Sequence, residues 1–75
     1  MYDVSMQRKL KEIPDLSTFE GILKASTLNE LDKKILRMHY LEELDYAFIA
    51  DTLGYSESGI KKRHKKALKK LSKII

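Results

Sequence analysis

No stretch of this 75-residue chain alternates apolar and polar residues with a period of two, whereas apolar spacings of three and four recur along most of it. That periodicity points to helices, because an amphipathic helix returns to the same face about every 3.6 residues and a half-buried strand every second one. No Asn-Gly or Asp-Gly dipeptide is present to close a hairpin. With no cysteine, packing must hold the fold without a disulfide or a thiolate zinc site. The length suits one small unit and excludes the larger enzyme architectures, which need well over about 100 residues. The expected fold is all-α, a small helical bundle of four to five helices.

Local signals divide that bundle. Met6 to Ile13 reads as a short helix capped by Ser5 and ended by Pro14, whose ring blocks the helical hydrogen bond. Ser17 and Glu20 have capping-box spacing, so a second helix is expected over 18–26, with Phe19, Ile22 and Leu23 on one side. A third is expected from Asn29 to Leu41, capped by Thr27 or Asn29. Its stripe of Leu28, Leu31, Ile35, Leu36, Met38 and Tyr40 reads as core. After Glu42, Glu43 and Leu44, Asp45 caps a fourth helix, Tyr46 to Leu53. Gly54 stops it by reaching positive φ, Tyr55 follows as an apolar plug, and Ser56 caps a last helix from Glu57 to Lys73.

Charge is segregated along this plan. Residues 1–55 carry seven Lys/Arg against ten Asp/Glu, and residues 56–75 carry eight against Glu57 alone, so the net +4 is the sum of −3 and +7. A basic final segment on a neutral-to-acidic body is the footprint of a polyanionic partner, either nucleic acid or an anionic membrane surface. A lysine face serving solubility alone needs fewer cations. On the last helix Ile60, His64, Ala67, Leu68, Leu71 and Ile75 form an inward stripe, and lysines cover the rest. Membrane binding needs a bulky apolar face free for lipid, which this stripe cannot offer once packed.

Two helices joined through Gly54, Tyr55 and Ser56 make the helix-turn-helix plan, with Ala50 small where the helices approach and Ile60 anchoring the second on the first. The stretch from Leu28 to Leu71 resembles region four of bacterial sigma factors. It has an L-x-E opening and an apolar helix ending in Tyr40. Then come Y-x-x-I-A-x-x-L-G-x-S from Tyr46 to Ser56 and I-K-x-R-x-x-K-A-L-x-K-L from Ile60 to Leu71. The LuxR type shares the plan, and the LGYS turn and KKALxKL end are similar to small ArpU-like phage or mobile-element transcription regulators.

The resemblance implies a DNA-binding domain over 28–75, with 1–27 as a helical segment buttressing it. Its motif core would be Ile35, Tyr40, Tyr46, Ile49, Ala50, Leu53, Gly54, Ile60, Ala67, Leu68 and Leu71. The implied function is a transcription regulator that binds double-stranded DNA sequence-specifically, with the helix from Glu57 to Lys73 in the major groove. Base contacts are expected from Glu57, Ser58, Lys61, Lys62 and Lys65, because a Glu accepts from cytosine N4, a Ser pairs with several bases and a Lys reaches guanine O6 and N7. Phosphate contacts are expected from Ser56, Arg63, Lys66 and Lys69, with Lys70 and Lys73 attracting phosphate or meeting solvent. RNA polymerase is a further expected partner, and homodimerisation is left open. The alternative is a sigma-like adaptor that binds RNA polymerase or an anti-sigma-like protein, with DNA contact secondary. The promoter-melting region of a full sigma factor is not in this sequence, which implies a small regulator or a fragment of a longer factor.

Three residues depart from the pattern. Gly59 lies in the first turn of the recognition helix, either for close approach to DNA or because that turn is barely helical. His64 stands in an inward column where relatives carry Leu or Val, and reads as a half-buried histidine satisfied by a polar neighbour. Phe48 replaces a usual polar residue and is expected to pack under Phe19, Ile22 or Leu23 rather than to form an exposed patch. His39 and His64 are 25 positions apart with no ligand spacing, so no metal is expected. No phosphate loop or nucleophile constellation is present, and neither a cofactor nor enzymatic activity is expected. No apolar run approaches the roughly 20 residues of a membrane helix, and a cytoplasmic protein is expected.

Overall fold

The computed structural model describes residues 4–13 and 15–73. Among them are five α-helices and one π-helical turn, and no strand: α1 Val4–Lys11, α2 Leu16–Ala25, α3 Glu30–Leu36, the π turn Arg37–Leu41, α4 Tyr46–Leu53 and α5 Glu57–Leu71. The helix starts follow the chemistry of short acceptors. Asn29, Asp45 and Ser56 each sit in extended backbone and accept an N–H three residues on, from Asp32, Phe48 and Gly59.

Two apolar clusters hold these elements. One joins Leu10 of α1, Phe19 and Leu23 of α2 and Leu36 of α3 to Ala67, Leu68 and Leu71 of α5. The other joins Ile35 and Met38 to Ile49 and Ala50 of α4 and Ile60 of α5. Helices α3 and α5 both enter the two clusters, so the molecule closes around this pair.

Several local expectations need correction. Helix α1 covers Val4–Lys11 and so includes Ser5, the residue expected to precede it; Pro14, the expected terminator, lies outside the described residues. The cap of α2 is Asp15, whose Oδ1 accepts the Thr18 N–H at 2.6 Å, and the helix starts at Leu16. The expected capping-box carboxylate, Glu20, instead takes Arg37 Nε and Nη2 in a bidentate pair at 2.7 Å each. That pair links α2 to the π turn and holds the Glu20 carboxyl below its ordinary range through the hydrogen bond to Arg37. The third helix is not an α-helix to Leu41. It widens at Arg37, and Glu42 N–H closes the turn on Arg37 O at 3.2 Å. Helix α5 ends at Leu71, two residues short of Lys73, and Ile75 lies outside the described residues.

Candidate nucleic-acid interface

The reversal between α4 and α5 is built from the backbone. Gly54 adopts φ 79°, ψ 30°, and its N–H and that of Tyr55 both reach Ala50 O, the latter at 2.8 Å. A left-handed residue closing the end of a helix in this way is where glycine is favoured, since it has no Cβ to clash. Ser56 then starts α5, and its Oγ accepts Gly59 N–H at 3.0 Å. A Cβ at Gly59 would stand 3.0 Å from that same Oγ. The missing side chain therefore leaves room for the cap, a third reason for Gly59 beside the two read from sequence.

Beyond the cap, α5 presents an exposed lysine face. Lys61, Lys62, Lys65, Lys66, Lys69 and Lys70 are all exposed. Only Lys61 is paired among them, with Glu57 one turn back at 3.1 Å; no carboxylate of the described residues forms an ion pair with the other five. Arg63 differs. Its guanidinium meets Asp32 Oδ1 of α3 at 3.4 Å and lies 5.4 Å from the centre of the Tyr55 ring. Tyr55, expected as an apolar plug, is 43% exposed and serves as a platform for Arg63.

Behind the lysine face lies a polar-aromatic cluster. His64 is 2% exposed, with Tyr40 Oη 2.6 Å from Nε2 and Tyr46 Oη 3.2 Å from Nδ1. His39 donates from Nδ1 to Leu44 O at 2.9 Å, and its ring stacks on Tyr46 with centres 4.5 Å apart. Burial, and then the positive potential from His39 and Lys11, push the His64 pKa down to about 4, so the ring is neutral in the fold. A neutral imidazole has one donor and one acceptor nitrogen, so one tyrosine hydroxyl donates to it and the other accepts from it. Among the described residues no three His, Cys, Asp or Glu side chains gather as a metal site. No described helix is long and apolar enough to cross a membrane.

Comparison with known proteins bears on this geometry. Residues 26–73 match the family model of sigma-70, region 4. The chain belongs to the sigma-70 region 4 family. Such a chain is a DNA-binding helix-turn-helix with a transcription-related role, and the family is not an enzymatic one. Two curated proteins named RNA polymerase sigma factor TcsR, both from Paraclostridium sordellii, are 42% and 44% identical to it over 57 residues, 76% of this chain. The chain spans about a third, 32%, of the length of each of these relatives. No solved structure matches it significantly.

In this region 4 domain the residues singled out as motif core divide by depth. Ile35, Ile49, Ala50, Ile60, Ala67, Leu68 and Leu71 are buried, whereas Tyr40, Tyr46 and Leu53 are half-buried and Gly54 is exposed at the turn. The residues expected at base edges, Glu57, Ser58, Lys61, Lys62 and Lys65, are exposed on the first two to three turns of α5. Of those expected at phosphates, Ser56 is held as the cap, Arg63 is half-buried against Asp32 and Tyr55, and Lys66 and Lys69 are exposed. Phe48 does not pack under α2. It is 54% exposed, because Phe19 and Leu23 are already covered by α1, α3 and α5. Sequence reasoning missed the Arg37–Glu20 and Arg63–Asp32 pairs and the role of His39, since partners 17, 31 and 25 positions apart leave no local signal.

Proposed function

We propose that the chain is a transcription regulator that recognises specific double-stranded DNA sequences by placing α5 in the major groove. The observation that carries this reading is the outward face of α5. Five lysines with no ion pair among the described residues follow a capped helix start on a tight turn, and residues 1–55 before that start are net −3. An α-helix fits the major groove, and a cationic face supplies the phosphate attraction that brings it there. In this reading Glu57, Ser58, Lys61, Lys62 and Lys65 contact base edges, while Ser56, Arg63, Lys66 and Lys69 contact phosphates. A guanidinium has five N–H donors, so the Asp32 contact leaves Arg63 able to donate outward. Residues 1–27 buttress the domain formed by 28–75, and the site of action is the cytoplasm.

Duplexes recovered from a random pool, titrated by fluorescence anisotropy across a salt series, test the reading. Neutralising about six phosphates gives a log–log slope near −5. Salt-independent or undetectable binding overturns it. Lys62→Ala relaxes base preference at one position by about 1–3 kcal/mol, and Lys69→Ala weakens all sequences alike and reduces the slope by about 1. Sedimentation with and without DNA reads whether two copies share a site.

A second reading, an adaptor for RNA polymerase or an anti-sigma-like protein, is favoured by Phe48 on α4, an apolar ring left 54% exposed. Its mark is capture of polymerase subunits that survives Lys61→Glu combined with Lys62→Glu.

A further inference from the structure

The groove-facing residues are specified by how α5 is rolled about its own axis. Side-chain ends lie roughly 5–6 Å from a helix axis, so a roll of about 20° moves them by about 2 Å. A good hydrogen bond tolerates only about 0.5 Å in donor–acceptor distance. Most of what seats α5 is non-directional: Ile60, Ala67, Leu68 and Leu71 are held by apolar burial, which can be kept while side chains repack. Directional contacts are few. The Arg63–Asp32 contact is long at 3.4 Å and involves a half-buried arginine.

His64 differs from both. It is buried in α5 between Lys61 and Lys65, and its two ring nitrogens engage hydroxyls from two other elements, Tyr40 of the π turn and Tyr46 of α4. The tyrosines are themselves placed. Tyr46 stacks on His39, whose Nδ1–H is tied to Leu44 O, and Tyr40 meets His39 edge to face at 4.8 Å between ring centres. The widened π turn puts two consecutive rings, His39 and Tyr40, within 5.2 and 5.5 Å of the His64 ring centre. We infer that His64 is the positioning residue of the recognition helix: its paired hydroxyl contacts fix the roll of α5 and so decide which lysines meet base edges. This rests on the DNA-binding reading above.

Two substitutions separate positioning from packing. His64→Leu fills the space without hydrogen bonds, whereas His64→Gln keeps a side-chain donor group and an acceptor for the two hydroxyls. The expected result is that His64→Leu stays folded by circular dichroism and keeps the salt slope. Its preference for the selected duplex over a scrambled one falls about tenfold, the worth of one well-aligned base contact. His64→Gln restores most of that preference. Equal preference in wild type and His64→Leu, or no rescue by Gln over Leu, overturns the inference while leaving DNA binding intact. A DNA-free readout stands apart from the binding reading. Backbone amide NMR shifts of residues 61–66 in α5 move in His64→Leu and return towards wild type in His64→Gln. Should Leu fail to fold, Tyr46→Phe, which removes one hydroxyl and keeps the ring, gives the same shifts in smaller measure. Unmoved α5 amides in these variants overturn the assignment.

Discussion

Around His64 the interior favours an uncharged ring, and the sign of the resulting pH dependence follows. The unfolded chain binds this proton near the ordinary value of 6.5 and the fold only near about 4, so the unfolded state holds more protons between those limits. Stability is therefore full above about pH 6.5 and falls as pH drops towards 4, by about 3 kcal/mol for a displacement of this size. Urea unfolding midpoints from pH 7 to 4 should show the loss, and His64→Gln should flatten the curve in that window; an equally steep variant contradicts it. Glu20 adds a loss in the same direction at lower pH, below its ordinary value of 4.5, where Arg37 loses its anionic partner. Gly59 and Ser56 form a second residue-scale device. Ser56→Ala removes the α5 cap at a cost of about 1 kcal/mol. Gly59→Ala gains helix propensity worth up to about 1 kcal/mol, but in the wild type its Cβ crowds Ser56 Oγ at 3.0 Å. The alanine at 59 should therefore stabilise more in the Ser56→Ala background than in the wild type, as read by a double-mutant cycle of thermal melts. Additive effects would mean that the cap oxygen yields freely.

At the scale of elements, the helices with strong caps and clear stripes were legible. Asp45, Gly54 and Ser56 are local signals whose partners lie within about one turn, and they set the bounds of α4 and the start of α5 as expected. The π turn was not legible, because the residues Arg37–Leu41 carry an ordinary helical pattern. What accompanies the widening is distant: Glu20 grips Arg37 from α2, and His39 and Tyr40 turn to His64 of α5. Glu20 shows how a capping-box spacing misleads when the true cap lies earlier: with Asp15 capping α2, Glu20 stands five residues past the cap and pairs with Arg37 instead. Helix α2 also falls wholly before the residues matched by the family, yet it fills the core that α5 needs. Leu23 is fully buried there, so Leu23→Ala should cost about 2–5 kcal/mol in chemical denaturation, the range for emptying a leucine site. A cost under about 1 kcal/mol would mean that α2 is not packed on α5.

For the whole molecule, the question is whether residues 26–75 can stand without what precedes them. A chain of this length has a total stability of about 4–11 kcal/mol. Leu10, Phe19 and Leu23 lie in the same cluster as Leu36, Ala67, Leu68 and Leu71, and burying each of the three contributes about 1.5–3 kcal/mol. That gain is gross, since ordering the N-terminal helices costs conformational entropy, but without them Leu36, Ala67, Leu68 and Leu71 lose their cover, so the 26–75 fragment should melt at a lower temperature and less sharply than the full chain. A sharp melt of the fragment would show that the N-terminal helices are dispensable. The sequence by itself determined the all-helical class, the turn at Gly54 and the charged face of α5, because periodicity, caps and charge act over neighbouring residues. Only the tertiary structure decided the exposure of Phe48, the ties of Arg37 and Arg63, and the meeting of His39 with His64. Each depends on which surfaces remain open after distant helices have packed, and that competition is absent from any local stretch of chain.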